Sequence, residues 1–206
     1  MTHRSYRIAC LVIFCVFACF LVACDSERGT GEPGTGEPQP DANQTGNDGS
    51  GTLTSVPQEE DPHPDFTVNA CDGSPVSIGE WAADYDAVFI TYAAKWCQAC
   101  AKEVPMINEE IVQAMAGRSV AAAQILVEQD PGQAAQQALC QQWDDEYGAE
   151  FPILVDPDEN AVAAIFGESV GSQLPLQTVI YNGKIILRSY TATITEVAAL
   201  LDILVP

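Results

Sequence analysis

Apolar positions change their spacing several times along this chain, and each change marks a predicted element. Ile8 to Ala23 is a run of 16 residues without a charge. From Asp25 to about Pro64 apolar residues become sparse, and Gly, Pro, Thr, Glu, Asp and Asn dominate. After Asp65 short apolar runs return, separated by helical patterns. Phe66–Ala70 and Pro75–Ile78 read as short strands around the turn Asp72-Gly73, with a helical turn at Gly79–Ala83. Ala87–Ala93 is a continuous apolar run, the signature of a strand buried on both faces. Gln98–Met115 has helical periodicity, Val120–Glu128 reads as strand, and Gly132–Tyr147 as helix. Pro152–Val155 is a short strand, and Asn160–Phe166 a helix stopped by Gly167. Leu176–Tyr181 and Lys184–Tyr190 flank Asn182-Gly183, a two-residue hairpin signal. Thr195–Leu204 closes the chain as a helix, with Thr195 as its expected cap. Strands that alternate with helices and end in a hairpin predict an α/β domain with a mixed central sheet flanked by helices.

The first 64 residues have a different logic. Arg4 and Arg7 precede the apolar run, and Leu21-Val22-Ala23-Cys24 ends it. A basic start, a short apolar stretch and a small residue before a cleavage point form a secretory signal. Sixteen apolar residues fall short of the ~20 that span a bilayer. The Leu-Val-Ala-Cys ending resembles a bacterial lipobox. That resemblance implies a signal peptide over 1–23 and lipid attachment at Cys24, which would tie the chain to a bilayer. Residues 24–64 are then a disordered tether, too poor in apolar area to offset their ordering entropy. Forty flexible residues span roughly 35 Å. The folded domain is expected at 65–206.

Charge narrows the partners. The chain has 29 acidic and 8 basic residues, a formal charge of −21. Such a surface repels phosphate and argues against nucleic acid.

The cysteines carry the chemistry. Of eight, Cys10, Cys15 and Cys19 lie in the leader, and Cys24 is the lipidation candidate. Cys71, Cys97, Cys100 and Cys140 remain. Disulfides among them would persist outside the cytoplasm. Cys97-Gln98-Ala99-Cys100 follows a buried strand and opens a helix. Backbone N–H groups and the dipole at a helix start favour a thiolate, the reactive form of the sulfur. Cys97, at the helix start, is therefore expected to be the exposed attacking sulfur, and Cys100, one turn in, the buried resolving one. Zinc needs four ligands, and His63 in the tether with two scattered cysteines does not supply them. No metal and no cofactor are expected. Glu103 lies one helical turn past Cys100, on the same face.

At these residues the chain resembles the TlpA/ResA-like thiol–disulfide oxidoreductases, bacterial envelope proteins of thioredoxin fold. The likeness covers about Asp65 to Pro206. It is carried by Asp72–Ile78, by Tyr92–Cys100 with Trp96, by Glu103 and Pro105, by Phe151–Asp156, and by Leu174-Pro175 with the strand and hairpin after it. It implies an N-terminal hairpin and an inserted strand–helix element around the thioredoxin core. It implies a proton relay at Glu103, and a cis Pro175 that faces Cys97. Leu174 would then pair with an extended substrate strand. Trp96 would pack beside the thiol, while Lys95 and Lys102 either favour the thiolate or sit on a solvated face. Thioredoxin carries a buried aspartate six residues before its first cysteine, where this chain has Thr91. That departure moves acid–base work to Glu103 or to water. Cys71 and Cys140 lie outside the family pattern; they either form a second disulfide or are two small buried residues.

The function implied is reduction of protein disulfides by a monomeric, lipid-anchored domain on the outer side of a bacterial membrane, with electrons from a membrane thiol carrier. Gln98-Ala99 replaces thioredoxin's Gly-Pro, so oxidase or isomerase direction stays open. The alternatives are a non-catalytic binding lipoprotein and a peroxiredoxin-type peroxidase. The latter places a Pro-x-x-x-Thr-x-x pattern before its cysteine, where this chain has Ile90 and Ala94.

Overall fold

A computed structural model describes residues 56–171 and 173–206. The predicted signal peptide, Cys24 and the tether as far as residue 55 lie outside the described residues.

The fold is a mixed sheet in the order β2-β1-β6-β4-β3-β7-β8, with β5 paired to β4 off this path. Its strands are β1 (Thr67–Ala70), β2 (Pro75–Ser77), β3 (Ala87–Ala94), β4 (Val120–Asp130), β5 (Gln133–Ala134), β6 (Ile153–Val155), β7 (Leu176–Tyr181) and β8 (Lys184–Ser189). β3 pairs parallel to β4 and antiparallel to β7. All eight residues of β3 are buried, because both sheet faces are covered. Phe89, Leu126 and Val179 face one layer, with α2 (Gln98–Ile107), α3 (Gln137–Tyr147) and α4 (Ile194–Leu204). Val88, Ile90, Ile125 and Ile180 face the other, with Ile78 of α1 (Ile78–Ala82) and the π-helical turn Val162–Phe166. The two-residue period of a strand divides the residues between these layers.

Most predicted elements are present, with four differences. The helical pattern over Gln98–Met115 splits into α2 and a π-helical turn, Asn108–Gln113. The widening begins three residues past Pro105, which cannot donate to the ladder. The helix expected from Gly132 starts at Gln137, because β4 runs on to Asp130 and turns back on itself as β5. The cap of α4 is Thr193 and not Thr195. Thr193 Oγ1 accepts from Glu196 N (3.2 Å), and the Glu196 carboxylate accepts from Thr193 N (2.8 Å), a complete capping box. The ordered domain also takes in residues before Asp65. Glu60 N donates to Ile185 O (2.7 Å), Ile185 N to Asp61 O (2.9 Å), and His63 N to Gly183 O (2.9 Å). This segment covers the free side of β8, an edge that would otherwise present unpaired backbone groups. The hairpin at Asn182-Gly183 forms as the pair predicts, with φ of 51° and 76°.

Candidate active site

β3 runs beneath the site and delivers it. The β3–β4 register shifts between Ala93 and Ala94, a bulge that re-aims the chain as it leaves the sheet. Lys95 N still donates to Glu128 O (3.0 Å), and Cys97 N turns back to Ala94 O (2.9 Å). Cys97 then caps α2. Its backbone is extended, and its Sγ accepts from Cys100 N at 3.1 Å. Cys97 and Cys100 are joined in a disulfide. The expectation of an exposed Cys97 needs correction: the residue is 5% exposed and Cys100 0%. In the disulfide the Cys97 sulfur turns onto the helix end, with Trp96 and Leu174 packed against the same core. The order of access, Cys97 before Cys100, is kept.

Trp96 does more than pack. Its indole Nε1 donates to Glu128 Oε2 (2.9 Å), a buried carboxylate near the end of β4. The Leu174–Pro175 bond is cis, the isomer that the resemblance implies. Lys95 and Lys102 are exposed, and neither makes an ion pair among the described residues.

Glu103 reaches down from α2 onto the sheet. Thr91 Oγ1 donates to its Oε2 (3.1 Å), and Gln177 Nε2 donates to its Oε1. Thr91 and Gln177 are cross-strand partners on β3 and β7. Burial pushes the Glu103 carboxyl up to about 7, against the two hydrogen bonds, which favour the anion. A carboxyl poised near neutrality, one turn from Cys100, has the chemistry to take and return a proton.

Cys71 and Cys140, left open by the sequence, form a second disulfide, which closes a 69-residue separation. It ties the turn after β1 to α3. Gln137 reinforces the tie, since its Nε2 donates to Ala70 O at 2.7 Å. His63, expected in the tether, is instead packed near Phe66 (ring centroids 5.7 Å). Neither ring nitrogen has a hydrogen-bond partner among the described residues, and burial lowers its pKa to about 4.

Residues 60–189 match the model of the AhpC/TSA family. The chain belongs to the AhpC/TSA family. No curated protein matches it. Among solved structures it is similar to a thiol:disulfide interchange protein from a Bacteroides species (12% identity, TM-score 0.58, covering 71% of this chain and 89% of that one). It is similar to a thioredoxin-family thiol:disulfide interchange protein of Chlorobium tepidum (18%, 0.55, 72% and 98%). A secreted Mycobacterium tuberculosis disulfide oxidoreductase, homologous to E. coli DsbE, aligns at 16% and 0.51 over 67% and 95%. At these identities the likeness establishes the thioredoxin-like fold. With the family known and a Cys-x-x-Cys disulfide capping the helix after the central strand, the chain is a thiol–disulfide oxidoreductase.

Gln177, Gln124 and Glu128 are polar side chains of the site region that the sequence reading passed over. The available signal was a polar residue inside an otherwise apolar strand: Gln124 and Glu128 in Val120–Asp130, and Gln177 in Leu176–Tyr181.

Proposed function

We propose that this protein is a membrane-anchored, extracytoplasmic oxidoreductase that reduces protein disulfides through Cys97 and Cys100. The observation that carries the proposal is the disulfide at the start of α2, where Cys100 N–H already points at the Cys97 sulfur. That donor and the helix end stabilise a Cys97 thiolate once the pair is reduced.

The exchange has two steps. The Cys97 thiolate attacks one sulfur of a substrate disulfide, forms a mixed disulfide and releases the other substrate sulfur as a thiolate, which takes a proton from solvent. The Cys100 thiol then passes its proton to the Glu103 carboxylate, and its sulfur attacks Cys97. The Cys97–substrate bond breaks, and the second substrate thiolate leaves and is protonated by solvent. The substrate gains two electrons, and Cys97–Cys100 is oxidised. A membrane thiol carrier of the envelope would return the two electrons by the same exchange and remake the dithiol. Leu174 packs against the core that holds Cys97, and with Pro175 it would hold the substrate strand. Trp96, with Lys95 beside it, would shape the rim.

Two features support the location. Cys24 with its leader matches a lipidation signal, and the tether of residues 24–64 gives the domain reach, although its last residues dock on β8. All four cysteines of the described residues are in disulfides, a state that suits an oxidising compartment. The test is reduction of a protein disulfide by the full-length protein with dithiothreitol as donor. Wild type should turn over and Cys97→Ser should not; equal rates would remove the redox reading. In the bacterial cell, Cys24→Ser should release the protein from the membrane fraction.

A further inference from the structure

We propose that Gln177 is a positioning residue for the resolving step: with Thr91 it gives the Glu103 carboxyl a hydrogen-bonded place in both its ionised and its protonated form. This rests on the reading of Glu103 as the proton acceptor for Cys100.

Among the described residues Asp156 and Glu128 are buried and Glu103 is half-buried, and the surroundings of Asp156 and Glu103 differ in kind. Asp156 accepts three backbone N–H groups, from Asn160 (2.7 Å), Ala161 (2.9 Å) and Val162 (3.2 Å). Backbone N–H groups only donate, so this shell favours the carboxylate, against a burial that raises the Asp156 carboxyl to about 6. Asp156 is a fixed cap for the segment that follows it. Glu103 has no such shell. Its partners are a hydroxyl and a side-chain amide, and both of those groups can donate or accept.

The amide is set for such an exchange. Gln177 is 1% exposed and Thr91 0%. Gln177 Nε2 donates to Glu103, while Gln177 Oε1 is buried without a partner among the described residues. That is the arrangement for an ionised carboxyl. When Glu103 takes a proton, rotation of the amide by half a turn brings Oε1 to the carboxyl, which now donates its O–H to it. The Thr91 hydroxyl keeps donating to the other carboxyl oxygen. One end of the amide meets the carboxyl in either state, and the Nε2 contact with the anion opposes the upward push of burial.

No charged neighbour does this work. Burial, Thr91 and Gln177 account for the displaced titration of Glu103. On α2 the adjacent charge, Lys102, is exposed. α3 and α4 turn Leu139, Cys140, Trp143, Ile194, Val197 and Leu201 into the same core. From β4 the ladder partner of Thr91 is Gln124, an uncharged amide whose Oε1 accepts from Trp143 Nε1 at 2.7 Å, and the buried carboxylate of that strand, Glu128, accepts from Trp96 Nε1 at 2.9 Å.

The test uses full-length protein with Cys97–Cys100 reduced and Cys71–Cys140 intact, checked by mass. An aromatic disulfide, dithiobis(nitrobenzoate), releases one coloured thiolate when Cys97 attacks and a second when Cys100 resolves the adduct. The second phase is followed from about pH 5 to about pH 9. In wild type its rate should rise as Glu103 ionises. Glu103→Gln should lose that inflection and slow the phase at least ~10-fold at neutral pH. Gln177→Met should move the inflection upward by about one pH unit, slow the phase ~3-fold or more at neutral pH, and approach wild type in alkali. A Gln177→Met profile that superimposes on wild type, with the inflection lost in Glu103→Gln, overturns the role of Gln177 alone. A Glu103→Gln profile that superimposes on wild type overturns the Glu103 reading as well. Wild-type nuclear magnetic resonance covers a variant that does not fold. The Gln177 side-chain amide signal should titrate with the midpoint of the Glu103 carboxyl carbon, and a flat amide signal overturns the proposal.

Discussion

The two disulfides of this domain sit in one hydrophobic layer and, on the proposed function, do opposite things. Cys97–Cys100 spans three residues at a helix start. Closing so short a loop removes little freedom from the unfolded chain, so the bond is free to serve chemistry. Cys71–Cys140 spans 69 residues and ties the turn after β1 to α3. Closing so long a loop restricts the unfolded chain strongly. The surroundings differ in the same sense. Beneath the first lies a polar row on β3 and β7 that holds a titratable carboxyl. Around the second lie backbone carbonyls and the Gln137 clamp. The lesson is that local loop length and polar neighbours, more than burial, separate a reactive disulfide from a scaffold one: Cys100 and Cys140 are both 0% exposed.

The largest effect should break the symmetry of the pair outright. Cys97→Ser should lower disulfide reduction by ~10³-fold or more, since no other sulfur can take the attacking role. Replacing both Cys71 and Cys140 by alanine should leave folded protein active. The same double replacement should cost ~4 kcal/mol on the chain-entropy estimate for a loop of this length, read from denaturant unfolding. If activity disappears while the fold survives, the division of labour between the two disulfides is wrong.

Buried titratable groups sharpen the contrast next. The folded-state pKa of Glu103 is raised to about 7. Its ionisation therefore weighs against folding: stability is highest below about pH 4.5, falls as pH rises, and levels off above about pH 7. Glu103→Gln should raise unfolding stability by ~1–3 kcal/mol at alkaline pH and match wild type in acid. This would mark the site as stability given up for function. His63 belongs to the scaffold and is shifted the other way, lowered to about 4. The unfolded chain takes up its proton first, so stability should fall as pH drops from about 6.5 to about 4, by ~2 kcal/mol. His63→Leu should flatten that part of the curve, with unfolding followed at both ends. Smallest, Thr193→Ala should cost ~1 kcal/mol by removing one half of the capping box of α4, while Thr195→Ala should cost less.

The site was partly legible before any coordinates. A cysteine pair between an all-apolar run and a helical pattern states its own chemistry, because loop, strand and helix start are all local. The place of Glu103, one turn along the same helix, was legible for the same reason, while its role as a relay came from the family resemblance. Its partners were not. Thr91 lies 12 residues away in sequence and Gln177 lies 74 away, and only the pairing of β3 with β7 brings them under one carboxyl. Glu128 was hidden likewise, 32 residues from the indole it receives.

The amino-acid order by itself determined what short-range physics can specify: the buried central strand, the helix opened by Cys97, the Asn182-Gly183 hairpin, and the polar character of the segment before the domain. Tertiary structure decided whatever needed distant segments to meet. It paired Cys71 with Cys140, folded residues 58–63 over the edge of β8, and left His63 half-buried. It placed a neutral, reversible hydrogen-bond shell around Glu103. Apolar periodicity records which face a residue buries but not which strand lies beside it, and these contacts depend on strand order and register.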